Sequence, residues 1–182
     1  MSDNRIHVLS TSALPDLMVA EAATNGIRID HLSFIGTEIV ENKQIEGLLD
    51  RPLTAVFTSR KAVQAMGEKG GRDWDIYCVG QAAADRYGTT AIAGSAESAK
   101  ELAEKIIRTC DRREVYFFCG DRRRDELPEM LRKEEFIVHE VTVYRTISTP
   151  HRLTRNYDGI AFFSPSAVDS FFSVNSLTPE IP

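Results

Sequence analysis

The sequence predicts an α/β protein built on mostly parallel sheets with helices on both faces, divided into two related halves. Three observations carry this expectation. Short apolar runs alternate along the chain with amphipathic, Ala- or Leu-rich stretches. Strands separated by helices need crossover connections, and crossovers make parallel sheets covered on both faces. A short strand–helix segment also occurs twice, far apart in the chain. Finally, two β-branched stretches, 29–39 and 140–149, flank the middle of the chain without helical patterning.

Taken in order, the first expected strand, 6–10, runs into Ser10-Thr11-Ser12 and an expected helix over 14–25. The strand 53–58 ends in Thr58-Ser59 and leads to a helix over 62–68. The strand 76–79 ends in Gly80-Gln81, followed by a helix over 81–87. In the helix expected over 98–109, Ala99, Leu102, Ala103, Ile106 and Ile107 share one face, with Lys100, Glu101, Glu104, Lys105 and Arg108 opposite. The strand 115–119 is the longest unbroken apolar run and ends in Gly120-Asp121. A helix over 124–134 follows, with Pro128 near its start, where a missing amide hydrogen matters least. Strands are expected over 136–144 and 160–163, the latter ending in Ser164-Pro165-Ser166 before a helix over 167–172.

In the internal repeat, 54–63 aligns with 159–168, matching Phe57/Phe162, Ser59/Ser164, Ala62/Ala167 and Val63/Val168. Each copy reads as a buried strand that ends in Ser and enters a helix directly. Two such units imply a middle domain over 40–139 and an outer, discontinuous domain formed by 1–35 and 150–182. The stretches 29–39 and 140–149 would then run side by side as a two-stranded antiparallel linker. In the second, Val141, Val143 and Arg145 alternate with Thr142, Tyr144 and Thr146.

Composition narrows the function classes. The chain has 182 residues, 42% hydrophobic and 27% charged, within the range of globular proteins. An apolar run of five residues falls far below the roughly 20 of a membrane-spanning helix. Residues 1–4 carry no basic patch or apolar segment of a secretory signal. Three cysteines without C-x-x-C spacing point away from a disulfide framework and a thiolate metal site, and toward a reducing cytoplasm. A net charge of −5 gives no support for nucleic-acid binding. Neither a G-x-G-x-x-G fingerprint nor a P-loop occurs, nor H-E-x-x-H or G-x-S-x-G, so no cofactor and no metal are expected. The four histidines, His7, His31, His139 and His151, are scattered and read as structural or solvent-facing.

What remains is a set of strand ends that enter helices through small polar residues. In an open parallel sheet these ends share one edge, where small residues allow a ligand close to the backbone and free amides favour anions. Read singly, each junction is a cap or turn. Two such edges facing each other would form a cleft for a polyanion. Arg122-Arg123-Arg124 follows Gly120 and could add charge to that edge, although such a triplet is more often a solvated helix start that opposes the helix dipole. Cys78 and Cys119 read as core, and Tyr144 lies in an extended segment where a phenol could reach a cleft as a hydrogen-bond donor.

The segment 118–146, with Gly120, Arg124, Leu127, Pro128 and Leu131 followed by Val141-Thr-Val-Tyr144, resembles the uroporphyrinogen-III synthase family. That family carries a G-x-x-x-R-x-x-L-P-x-x-L pattern and an extended V-x-V-Y-x-T segment. Residues 57–63 and 162–168 resemble its two F-[TF]-S-P-x-A-V junctions, and 76–84 its V-G-x-x-T-A element. The matches follow the family's order across nearly the whole chain. The resemblance implies two flavodoxin-like (HemD-like) parallel-sheet domains joined by a two-stranded antiparallel linker. It also implies a cofactor-free lyase of haem biosynthesis that cyclises hydroxymethylbilane to uroporphyrinogen III with inversion of ring D. A cytoplasmic monomer is implied, with hydroxymethylbilane as its small-molecule partner and transient contact with the preceding pathway enzyme.

Carried over by position, Tyr144 matches the linker tyrosine that helps the hydroxyl leave. Ser59, Lys61 and Ala62 match the first junction, and Ser164, Ser166 and Ala167 the second. Gly80, Gln81 and Gly120 fall on the same strand edge, and Ser95 where the family often has a hydroxyl. Departures are Arg60 in place of the first junction's Pro, Ser12 where Arg is frequent, and Ala83 or Ala84 in place of Thr. The outer domain is expected to be incomplete at its C-terminal side, because the family continues with further strand–helix units. A two-stranded outer sheet would have too little core, so omission of a natural C-terminal segment is the expectation. The alternatives are a non-catalytic two-domain anion or tetrapyrrole-binding regulatory module, a truncated inactive synthase, and a receiver- or flavodoxin-like signalling domain.

Overall fold

The computed structural model describes residues 5–41, 43–67, 69, 73–88 and 91–177; Glu68, the expected end of the second helix, and the chain ends lie outside them. In chain order the first elements are β1 (Ile6–Ser10), α1 (Asp16–Thr24), β2 (Ile27–His31), β3 (Ile35–Ile39), α2 (Lys43–Glu46), β4 (Leu53–Phe57) and α3 (Arg60–Met66). There follow β5 (Trp74–Val79), α4 (Ala82–Tyr87), β6 (Ile92–Ala96), α5 (Ala99–Thr109), β7 (Glu114–Gly120), α6 (Glu126–Lys133), β8 (Ile137–Ser148), β9 (Gly159–Ala161) and α7 (Pro165–Phe172). The chain divides into two compact units, Met1–Thr37 with Thr146–Pro182, and Glu38–Arg145. Both are mixed α/β with parallel sheets.

The unit Glu38–Arg145 is organised around β4, buried at all five positions. A strand buried on both faces favours apolar residues, and Leu53, Ala55, Val56 and Phe57 provide them, while the buried Thr54 hydroxyl lies 3.6 Å from Cys110 Sγ. Phe57, Phe118 and Trp74 stack on one face with ring centroids 5.2 Å apart in each successive pair. Ala62, Val63, Met66 and Ala83 from α3 and α4 close that side. Val56, Tyr77 and Phe117 point to the other face, against Leu102, Ala103 and Ile106 of α5 and Leu127 and Leu131 of α6. The neighbours Phe117 and Phe118 thus serve opposite cores, as strand alternation requires. Ser98 caps α5 by accepting from the Glu101 amide at 3.2 Å, and the Glu101 carboxylate accepts from the Glu97 amide at 3.2 Å.

Strand order in this sheet is β8-β7-β4-β5-β6, extended beyond β8 by β3. Counted from β4, that is 3-2-1-4-5, the doubly wound order, rather than the 2-1-3-4-5 of a strictly flavodoxin-like sheet. The order reverses between β4 and β7, so their carboxyl ends border the crevice where such sheets bind ligands. One register irregularity lies at the same place. Cys119 pairs with Thr142 but Gly120 with Tyr144, so β8 bulges by one residue. The alternation expected over 140–149 is therefore interrupted, and Val143 and Tyr144 are both buried.

The other unit holds the parallel sheet β2-β1-β9 with α1 and α7. Its core comprises Leu9, Phe34, Ala167 and Phe171, with Phe34 and Phe171 edge to face at 5.2 Å. Helix α1 buries no residue, and Leu17 is 81% exposed. The outer sheet has three strands where two were expected, because 29–39 is not a single linker strand. Residues 27–31 pair with β1, and Leu32-Ser-Phe34 breaks the run. Ser33 Oγ donates to the Ile35 carbonyl at 2.8 Å, and Phe34 turns into the core. Only 35–39 pairs with β8. The Val40 amide donates to the Val143 carbonyl at 3.0 Å and the Thr149 amide to the Phe34 carbonyl at 3.0 Å, an antiparallel sense.

Differences in the remaining elements are local. Helix α3 begins at Arg60 rather than 62, α6 at Glu126 rather than 124, and α7 at Pro165 rather than 167. Strand β6 and helix α2 had no counterpart among the expected elements. No helix among the described residues is long and apolar enough to cross a membrane.

Candidate functional site

The carboxyl ends of β4 and β7 bring together Ser59, Gly120 and Tyr144. Ser59 is the N-cap of α3, and its hydroxyl accepts from the Lys61 amide at 3.2 Å. The same oxygen lies 3.1 Å from the Tyr144 phenol oxygen. Tyr144 is buried, reaching this position from the bulge in β8. Its backbone carbonyl accepts from the Asp121 amide at 3.1 Å, which ties β8 to the loop after β7. Gly120 makes the arrangement possible. A β-carbon there would stand 2.5 Å from Tyr144 Cζ and 2.8 Å from its hydroxyl oxygen, so any side chain would displace the ring.

A cavity of about 300 Å³ opens at this edge, lined by Thr58, Ser59, Cys119, Gly120 and Tyr144 together with Arg122, Arg123 and Arg124. Because α6 starts at Glu126, the three arginines belong to the loop and not to the helix. The objection that they oppose the helix dipole therefore falls away. Arg123 pairs with Glu140 and lies 3.6 Å from Asp125, and Arg132 holds the other Glu140 oxygen at 2.5 Å. Arg123 is thus partly neutralised; with Arg122 and Arg124 it lines a wall that also carries a phenol, two hydroxyls, a thiol and the apolar Ala99, Phe117 and Leu127. Burial pushes the Cys119 thiol up, with Arg123 pulling the other way. Burial alone raises the Cys78 thiol. Both stay neutral thiols and serve as core.

The other expected positions are placed as follows. Lys61 is exposed, and Ala62 is fully buried with its amide donating to the Ser59 carbonyl at 3.1 Å. Gly80 follows β5 in a left-handed conformation, φ 68°, and its amide already donates to the Ala96 carbonyl at 2.9 Å. Gln81 is the exposed N-cap of α4 and makes no side-chain cap hydrogen bond. Ser95 lies within β6, two strands from β4, and its carbonyl accepts from Lys105 Nζ at 2.9 Å. Neither Gly80, Gln81 nor Ser95 lines the cavity.

Ser164, Ser166 and Ala167 belong to the other unit. Ser164 caps α7, its hydroxyl accepting from the Ala167 amide at 3.2 Å. Nearby hydroxyls are engaged internally. Thr11 Oγ1 donates to the Ala161 carbonyl at 3.1 Å and accepts from the Phe163 amide at 3.3 Å, while Ser10 Oγ donates to the Ser12 carbonyl at 2.5 Å. Among the described residues, no group of three or more His, Cys, Asp or Glu could hold a metal ion.

Reading the sequence alone placed Thr58-Ser59 on the ligand edge but took Cys119 only as core, and left the arginine triplet between charging that edge and starting a helix. The triplet was visible directly after Gly120; the missing piece was where α6 begins.

The sequence matches the family described as Uroporphyrinogen-III synthase HemD over residues 16–177. No curated protein matches it significantly. Among solved structures, uroporphyrinogen-III synthetase from Helicobacter pylori is similar with a TM-score of 0.62 at 12% identity, covering 96% of this chain and 80% of that one. A mutant uroporphyrinogen III synthase from Thermus thermophilus is similar with a TM-score of 0.56 at 14% identity, covering 80% of this chain. The match spans 64% of the Thermus chain, just under two thirds of its length. At these identities the structures speak for the fold, whereas the family match takes in most of the sequence. The chain belongs to the uroporphyrinogen-III synthase family.

Proposed function

We propose that this chain is a uroporphyrinogen-III synthase, cyclising hydroxymethylbilane to uroporphyrinogen III with inversion of ring D and loss of water. The observation that carries this reading is the hydroxyl pair of Ser59 and Tyr144, 3.1 Å apart, set over Gly120 at the reversal point of the sheet. Beside it lies the wall formed by Arg122, Arg123 and Arg124, suited to the carboxylates of an eight-carboxylate substrate.

In this mechanism the Tyr144 phenol donates its hydrogen bond to the leaving hydroxyl of the bilane, and Ser59 orients the phenol. The carbon–oxygen bond breaks, the oxygen departs as water with the transferred proton, and an azafulvene cation remains. The substituted carbon of ring D attacks that cation to form a spiro intermediate. Fragmentation and reclosure at the other α-carbon invert ring D, and loss of a proton restores the pyrrole and returns the phenolate to phenol. The bilane closes by itself to isomer I, so most of the catalytic contribution lies in holding one conformation. Lys61 offers an exposed ammonium. Ala62, Gly80, Gln81, Ser95, Ser164, Ser166 and Ala167 are read as further substrate contacts. The enzyme is read as a cofactor-free cytoplasmic monomer that takes its substrate from the preceding enzyme.

An isomer-resolved porphyrin assay with hydroxymethylbilane tests the proposal. Isomer III formed faster than spontaneous isomer I supports the synthase. Isomer I alone, with tight binding of the bilane, would replace it with a binding module.

A further inference from the structure

The two copies of the internal repeat differ at one position in a way the fold does not require. Ser164 is followed by Pro165 at the first position of α7, whereas Ser59 is followed by Arg60 at the first position of α3. Proline suits that position, because its fixed φ is already helical and the amide it lacks has no partner inside the helix. A cation there is disfavoured by the positive end of the helix. Arg60 is exposed, and no hydrogen bond or ion pair joins it to any described residue. Among the described residues, nothing local therefore rewards the arginine.

Its surroundings suggest another use. Arg60 lines a cavity of about 470 Å³ between α3 and α4, with Val63, Gln64, Ala82, Asp85 and Arg86. The wall carries two guanidiniums and one carboxylate, a net positive charge, over an apolar floor of Val63 and Ala82. The cavity begins one residue from Ser59, hence beside the candidate site. It is large enough for a short carboxylate arm with its methylenes.

We infer that Arg60 is a substrate-binding residue that takes a carboxylate arm of the bilane into the cavity between α3 and α4. The inference rests on the synthase reading for the identity of the ligand. Arginine suits the role because its planar fork engages both carboxylate oxygens, which a lysine ammonium cannot reproduce. Since the arm lies away from the reacting carbon, the contact contributes equally to ground state and transition state. It therefore acts on KM and not on kcat.

The test compares wild type with Arg60→Ala, Arg60→Lys and Arg60→Pro. The readouts are steady-state kinetics on hydroxymethylbilane, affinity for uroporphyrin III by fluorescence quenching, and thermal melting. Arg60→Ala should raise KM and weaken uroporphyrin binding by about three- to tenfold, the range of a partly exposed charge contact, with kcat within about twofold. Arg60→Lys should recover part of the loss. Arg60→Pro should bind as weakly as Arg60→Ala yet melt at the same or a higher temperature, separating binding from a structural role.

Unchanged KM and uroporphyrin affinity in Arg60→Ala, with wild type producing isomer III, would overturn the inference and leave the synthase reading intact. Wild type that binds uroporphyrin III but forms only isomer I would sink the synthase reading. The Arg60 contact would then stand or fall on the binding data. Wild type that neither binds uroporphyrin III nor turns over the bilane overturns both.

Discussion

The two strand–helix junctions, at Ser59 and at Ser164, share a backbone and differ in what surrounds it. Both serines are extended, with φ −136° and −157°, and both accept from an amide of the first helical turn at 3.2 Å. Both are followed by an alanine packed into a core, Ala62 and Ala167. Only at Ser59 does the capping hydroxyl also meet a phenol, because a glycine and a bulge bring Tyr144 against it. A cap motif repeated in sequence is thus a scaffold. The chemistry comes from elements that arrive from elsewhere in the chain, here β7 and β8.

The sharpest way to separate the junctions is through their cores. Phe57 is buried in a three-ring stack, whereas Phe162 is partly exposed beside Phe171 and Phe172. Phe57→Ala should cost about 3–5 kcal/mol in chemical denaturation, and Phe162→Ala clearly less. Equal costs would mean that the two units are alike in packing.

Gly120 comes next. Gly120→Val places atoms where the Tyr144 ring lies, and should lower kcat/KM for isomer III by about 10²-fold through misplacement of the phenol. A variant as active as wild type would mean that this position of Tyr144 does not matter.

The smallest effect concerns Tyr87, which packs at 6.0 Å on Phe57 of the first junction. Its hydroxyl is buried with no hydrogen-bond partner among the described residues, and burial pushes its pKa up to about 12. The unfolded chain ionises this group near pH 10. Because the folded pKa is raised, the stability held below pH 10 is lost as pH climbs toward about 12. Tyr87→Phe should stabilise the protein by about 1 kcal/mol at neutral pH and lessen that alkaline loss. Denaturation midpoints at pH 8 and pH 11 check both signs.

How much of this was legible in the sequence depended on length and period. Strand β7 was readable because Val115-Tyr-Phe-Phe-Cys119 has no alternative to a doubly covered strand. Helix α5 was readable from its clean division into two faces. Strand β6 was not, because Ile92-Ala-Gly-Ser-Ala96 is built of small residues. Its Gly94 accommodates the Tyr77 ring, which would lie 2.8 Å from any β-carbon there. Strand β2 merged with β3 in the reading because both are β-branched, and the break depends on Phe34 finding a core. At the site, Ser59, Gly120 and Tyr144 were each singled out from the sequence. Their juxtaposition was not, since a one-residue bulge leaves no mark on composition or periodicity. The arginine triplet was readable either as charge on the edge or as a helix start, and the start of α6 two residues later leaves it in the loop.

The central claim is that Ser59 and Tyr144 act as one device in the chemical step, whereas Ser164 caps its helix and takes no part in that step. A double-mutant cycle on isomer III formation tests it, using Ser59→Ala, Tyr144→Phe and the pair, with Ser164→Ala as control and stability followed in parallel. Tyr144→Phe should lower kcat by about 10²-fold with little change in folding, as expected for loss of a proton donor. Ser59→Ala should cost about 1 kcal/mol of stability as a lost cap and also reduce kcat, while Ser164→Ala costs similar stability without the same loss of kcat. Added to Tyr144→Phe, Ser59→Ala should lower kcat no further. Independent, fully additive losses, or a Tyr144→Phe enzyme with unchanged kcat, would contradict the claim.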